Sequence, residues 1–292
     1  MRIKKSISLI IIATVYVIAL LSAYVFIHLS PGRSIFLNAL YADLLATGIV
    51  FLFSIIFNNS SIYDPYWSVV PFFILMYWIF SAGTGFTAPV ILLLIVMILW
   101  GTRLTINWSR DWEGMDHEDW RYKKFRTKFG RLYWLVSLGG IHLFPTAIVF
   151  LGMVPVYYFV TAAPTTINGL YLIGFAIAMG GTVIELTSDE QLKSFKKEPG
   201  KQGETIFSGL WKYSRHPNYL GEIMFWIGMW FFGWGAGNIY FWTIIAPISM
   251  ILMFLSVSIP WMERKILATR PQYQSYMDDV PSLLPIKFRK RK

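Results

Sequence analysis

Residues 212–222 read KYSRHPNYLGE and run straight into IMFWIGMWFFGW. Arg, His, Asn and Glu at the mouth of an apolar stretch are costly there, which makes them candidates for ligand binding. Pro217 suits the first turn of a helix, where its missing N–H is no loss. Ser214 or His216 is placed to cap that helix. Asn218 and Glu222 then share one face at i and i+4, with Tyr219 beside them. Arg215 and His216 are expected just outside, in water, beside the positive end of the helix dipole. Such an arrangement suits an anion such as phosphate.

A second polar stretch, TVIELTSDEQLKSFKK at 182–197, carries a related pattern. Read as a helix, it lines up Glu185, Asp189, Lys193 and Lys196 or Lys197 at about four-residue spacing. That face runs from acid to base. Its carboxylates suit hydroxyls and amides, and its ammonium groups suit phosphates. As a purely structural feature, the same face is a salt-bridged extension.

Other polar residues fall inside or beside apolar stretches: Asp43, Asp64, Arg103 and Asn107, with His142 a weaker case. Arg103, Asn107, Asp64, Glu185 and Glu222 are expected at one level near the cytoplasmic interface. Asp43 is expected deeper, roughly 20 Å from the inner end of its span at ~1.5 Å per residue. Snorkelling or structural pairing is the plainer account of each taken alone.

The elements that must position these groups follow from composition. The chain has 292 residues, 55% hydrophobic and 14% charged, against roughly 25% charged in a soluble domain. Apolar runs recur, each long enough to cross a hydrocarbon core of ~30 Å. The expected fold is all-α, a polytopic transmembrane helical bundle of seven to eight spans. The spans are placed at about 6–29, 35–57, 66–81, 86–108, 133–160, 168–188, 218–234 and 239–259. The domain reading is a first transmembrane helix at 1–34 and one membrane domain at 35–292, with a cofactor-binding half from about 100 to 292.

Charge supplies the orientation. Of 26 Lys and Arg, seven lie in 109–132, six in 189–217 and eight after 259. The intervening loops at 82–85, 161–167 and 235–238 hold none. That is a positive-inside pattern with both termini cytoplasmic. The net charge of +10 is therefore mainly a topology signal, with attraction to anionic lipid headgroups second and no nucleic-acid role expected. There are no cysteines, so no disulfide or thiolate chemistry is available. His117 among Asp116, Glu118 and Asp119 resembles a metal site only superficially, since adjacent residues seldom converge on one ion, and no metal is expected. The loop holding it is read as an interfacial helix.

Four stretches together carry a resemblance: SRHPNYLGE, ELTSDEQLKSF, RLTINWSRDWEGMDHEDWRY and SIYDPYWSVVP. From about Asp43 to Phe288 the chain resembles the bacterial-type branch of the steroid 5-alpha reductase-like family. That branch carries a domain of unknown function related to the reductases' C-terminal domain. The resemblance implies NADPH in a cavity open to the cytoplasm and hydride transfer to the carbon–carbon double bond of a small lipophilic enone from the bilayer. It implies a cofactor-binding set drawn from Arg103, Asn107, Glu185, Asp189, Lys193, Lys196, Arg215, His216, Asn218, Tyr219 and Glu222. Glu185 stands where the family pattern has Asn, and Lys193 and Lys196 where it has Arg. The Gln-Glu pair that holds the enone carbonyl in steroid reductases has no counterpart here. Tyr63 and Asp64 are the candidates for the catalytic donor and proton route, with Tyr66 and Asp43 as further carbonyl-polarising groups. The expected location is a membrane, a bacterial inner membrane or an endoplasmic reticulum.

RHP-x-Y-x-G also resembles isoprenylcysteine carboxyl methyltransferases. An S-adenosylmethionine-dependent enzyme, with Glu263 and Tyr273 completing the pocket, is the alternative. A non-enzymatic transporter or scaffold is a third reading, though no broken helices or inverted repeats are evident.

Overall fold

The computed structural model describes residues 4–201 and 203–285. Phe288, where the resemblance ends, and the basic residues Arg2, Lys287, Arg289, Lys290, Arg291 and Lys292 lie outside the described residues. The chain is helical throughout, with no strand among the described residues. Seven helical stretches are long and apolar enough to cross a membrane, and the chain is an integral membrane protein. It divides into two compact units, Met1–Thr166 and Ile167–Lys292.

The first unit opens with α1 (Lys5–His28), α2 (Ile35–Ile56), α3 (Tyr66–Ala82) and α4 (Ala88–Asp111). Ser34 starts α2 by accepting from the Leu37 N–H. Asn59 likewise accepts from the Ser61 N–H and opens a short 3₁₀ turn, Ser60–Tyr63, that leads into α3. Gly83, in the left-handed region at φ 67°, closes α3. Helices α3 and α4 touch where Gly101 faces Ser68; a Cβ at Gly101 would lie 2.6 Å from the Ser68 carbonyl oxygen. The helix α1 belongs to this unit by direct bonds. Its Tyr16 hydroxyl donates to the Ile62 carbonyl, and its Ser8 hydroxyl accepts from the Met115 N–H.

A helix does form within the 109–132 loop: α5 (Trp120–Phe129). The long fifth span is less regular than its apolar pattern predicts. It comprises α6 (Tyr133–Val136), a π-helical segment Ser137–Leu143 and α7 (Phe144–Thr161).

The second unit contains α8 (Gly169–Lys197), α9 (Pro217–Ala236), α10 (Ile245–Met253), α11 (Ile259–Thr269) and α12 (Tyr273–Asp279). Asn168 caps α8 by accepting from the Tyr171 N–H at 3.0 Å. The helix α8 runs well past the expected end of its span, carrying 182–197 as one continuous face. The expected span at 218–234 is a 20-residue helix, but three Trp, four Gly and Glu222 leave it less apolar than the seven stretches above.

Helices α8 and α9 run antiparallel along a seam of small residues. Gly174 and Gly181 on α8, seven apart, meet Gly228 and Gly221 on α9, also seven apart. A Cβ at Gly228 would lie 2.6 Å from the Gly174 carbonyl oxygen, and one at Gly221 2.5 Å from that of Gly181. Backbones this close gain dispersion contacts that larger side chains would prevent.

Candidate functional site

In the second unit the seam decides where the polar residues fall. The next residue along α8 from Gly181 is Glu185, and a Cβ at Gly221 would lie 2.7 Å from the Glu185 Cβ. The two polar stretches therefore meet side by side. Glu185 and Glu222 are both buried, and Asn218 and Tyr219 are half-buried. The Glu222 carboxylate accepts from the Trp226 indole N–H at 2.8 Å. Along α8, exposure rises from buried Glu185 through half-buried Asp189 and Lys193 to exposed Lys196. The acid-to-base face is thus graded from interior to surface.

Arg215 and His216 are a correction to the sequence reading. They do not stand in water. The Arg215 side chain is 11% exposed and that of His216 5%. Arg215 Nε donates to Glu263 Oε1 at 2.7 Å, and its Nη1 donates to the carbonyls of Met277 at 2.8 Å and Val280 at 2.6 Å. His216 Nε2 lies 3.0 Å from the same Glu263 oxygen. The His216 ring also stacks on Tyr219, centroids 5.2 Å apart and planes within 5°. The reason is electrostatic: two cationic side chains near a buried carboxylate gain more from it than from water once the pair is closed off. Capping is corrected too. His216 sits at the N-cap position, but no side chain caps α9; the Ser214 hydroxyl accepts from the His216 N–H instead. Pro217 does occupy the first turn. The Tyr276 hydroxyl donates to the Trp211 carbonyl beneath this cluster. Burial pushes the phenols of Tyr273 and Tyr276 up, the Glu263 charge adding to it for Tyr273, so both stay protonated.

In the first unit the expected catalytic pair does not act on one point. Tyr63 is buried and its hydroxyl bonds the Thr146 hydroxyl on α7 at 2.7 Å. Asp64 turns the other way and accepts from the Tyr122 hydroxyl on α5 at 2.5 Å. Asp43 has found a different neighbour. The Tyr66 hydroxyl donates to its carboxylate at 2.8 Å, both groups being buried within apolar helices. The rings of Tyr63 and Tyr66 lie 5.2 Å apart, and the Thr47 hydroxyl joins Thr146 at 2.9 Å. An acid, two phenols and two threonines thus form one polar patch between α2, α3 and α7. On α4, Arg103 is buried and Asn107, one turn on, is half-buried.

Sequence reading missed three positions. Glu118 was read only among clustered acids, yet it is 8% exposed and ties together Ser60, Arg126 and Tyr133. Glu263 was read only with the methyltransferase alternative, and Thr146 carried no signal at all.

A family model described as a protein of unknown function, DUF1295, matches residues 50–280. An uncharacterized protein of the fission yeast Schizosaccharomyces pombe is 26% identical over 254 residues, covering 78% of this chain and 73% of that protein. Mouse 3-oxo-5-alpha-steroid 4-dehydrogenase 1 is 36% identical over 72 residues, 24% of this chain and 28% of the enzyme. The human enzyme of the same name is 39% identical over 67 residues, 23% and 26% respectively. The match thus spans about a quarter of the steroid dehydrogenases it resembles. No solved structure is a significant match.

Proposed function

We propose, for a chain that belongs to the DUF1295 family of steroid 5-alpha reductase-like membrane proteins, an oxidoreductase activity: NADPH-dependent reduction of the carbon–carbon double bond of a lipophilic enone. The observation that carries this reading is the meeting of the two polar stretches at the Gly181–Gly221 contact. It sets Glu185, Asn218 and Glu222 together and leads outward to Asp189, Lys193 and Lys196. Carboxylate and amide groups at the inner end suit the hydroxyls and carboxamide of a dinucleotide. Ammonium groups at the outer end suit its phosphates. NADPH, when bound, supplies a hydride.

The chain's own contribution on the substrate side is proposed for the patch between α2, α3 and α7. A carbonyl entering there meets phenol donors. The Tyr66 hydroxyl is oriented by Asp43, and Tyr63 by Thr146. A phenol donating to the carbonyl oxygen stabilises the enolate that develops as hydride adds. Asp64, held by Tyr122, is proposed to tie the start of α3 to α5 and to fix Tyr63 from behind.

The deciding experiment is calorimetry on the purified chain with NADPH and with S-adenosylmethionine. Saturable micromolar binding of NADPH is expected, weakened about tenfold, or ~1.4 kcal/mol, when Lys193 and Lys196 are both changed to Ala. Binding of S-adenosylmethionine instead would favour the methyltransferase. That reading draws on Arg215, His216, Glu263 and Tyr273, but Arg215 and Glu263 are already spent on each other and on the chain end. Absence of binding by either would remove both readings.

A further inference from the structure

A second polar system in the first unit has no part in the function proposed above. Glu118 Oε1 accepts from the Tyr133 hydroxyl at 3.0 Å. The Tyr133 oxygen bonds the Ser60 hydroxyl at 2.7 Å, and Ser60 bonds the Ser137 hydroxyl at 2.9 Å. Ser137 in turn stands 3.5 Å from His142 Nδ1, the longest link, and its backbone carbonyl lies 2.9 Å from the same nitrogen. On the other side of the ring, Nε2 is 3.1 Å from the Ser54 hydroxyl. Ser54, Ser60, Ser137 and His142 have no exposed surface.

Two features make this series more than ordinary core satisfaction. First, Ser137 and His142 meet because they lie in the π-helical segment Ser137–Leu143, where residues five apart stack one above the other. On an α-helix a five-residue separation would turn the two side chains well apart. Gly139 and Gly140, with open space around each, sit inside that segment. Second, the series is graded. Its outer end is a carboxylate paired with Arg126, whose side chain is 31% exposed, and its inner end is an imidazole packed 4.8 Å from the Tyr63 ring. Each member between them can give up one proton while accepting another.

We propose that Glu118, Tyr133, Ser60, Ser137 and His142 form a proton path between the aqueous edge and the interior of the first unit. A proton taken from water by the Glu118 carboxylate passes to the Tyr133 oxygen as Tyr133 hands its own to Ser60. Ser60 hands on to Ser137, and Ser137 to His142 Nδ1. His142 releases a proton from Nε2 toward Ser54. Each hydroxyl ends with the proton count it began with and turns before the next passage. One proton enters at Glu118 and one leaves at His142. Intramembrane chains of carboxylate, hydroxyl and imidazole serve as proton relays. The reduction proposed above consumes one proton, but the path stands on its own geometry.

The test needs no substrate. The full chain, labelled with ¹⁵N-histidine and held in detergent micelles, is transferred to heavy water, and exchange of the His142 ring proton is followed by NMR. His142→Gln assigns the signal. Exchange in the unaltered chain should be fast for a buried ring. It should slow roughly tenfold in Ser60→Ala and in Tyr133→Phe, and recover in Ser60→Thr. A merely structural role predicts the opposite sign, since loosening the core opens the ring to water and speeds exchange. Exchange that is unchanged or faster in both variants, or equally slow in the unaltered chain, overturns the path. Because Tyr133→Phe keeps its ring, it reports even if Ser60→Ala fails to fold. Nucleotide binding is measured separately, so failure here leaves the cofactor reading untouched.

Discussion

Arg215 holds three acceptors at once: the Glu263 carboxylate and the carbonyls of Met277 and Val280. Removing it leaves a buried carboxylate with only His216 beside it. Arg215→Ala should therefore cost roughly 3 kcal/mol of stability, read as a fall in the thermal midpoint of the purified chain. Arg215→Lys should recover only part, because an ammonium cannot span the fork that a guanidinium fills. A midpoint unmoved in Arg215→Ala would show that the cluster adds nothing to the fold. What the sequence revealed here was local. Pro217 at a helix start and the Asn218–Glu222 spacing were legible because neighbours on one helix turn encode them. The partners of Arg215 were not, since Glu263 lies 48 residues away and no periodicity links the two. Charged side chains beside an apolar run read as solvated until the pairing chain segment is known.

Among the elements, the α8–α9 pair rests on glycines that side chains would push apart. Gly221→Ala sets a methyl against the Gly181 carbonyl and the Glu185 side chain, so about 1–3 kcal/mol of destabilisation is expected. Gly48 in α2 is the matched control. Nothing lies within 4 Å of a Cβ there, and Gly48→Ala should be neutral or stabilising by up to ~1 kcal/mol. Thermal unfolding of both variants checks the pair; equal effects would refute a close-packed seam. Helix existence was largely readable from apolar run length. The π-helical turns of Ser137–Leu143 were not, because side chains spaced for 3.6 residues per turn look the same before packing widens the helix. The partnership of Asp43 with Tyr66 was equally hidden, as it joins two helices across 23 residues.

At the scale of the whole molecule, topology was the most legible property, since Lys and Arg placement acts during insertion and needs no tertiary contact. It makes a direct prediction. The native chain has no cysteine, so single substitutions label without background. Lys124→Cys, on exposed α5, should react with an impermeant maleimide only from the cytoplasmic side, and Ala82→Cys, exposed at the end of α3, only from the opposite side. Labelling of both from one side would overturn the span order in the first unit. The polar sites were less legible at this scale because their placement depends on which helices pack together, and composition does not say.

The glycine seam has a consequence for the polar residues that it never touches chemically. Its notches recur every seven residues on both helices, about 10.5 Å apart at 1.5 Å per residue. The pair can seat in one register or slip by a full notch; intermediate positions collide. The seam is therefore a ruler. It sets the height of Glu185 against Asn218 and Glu222, so groups able to recognise a ligand inherit their alignment from residues that have no side chain.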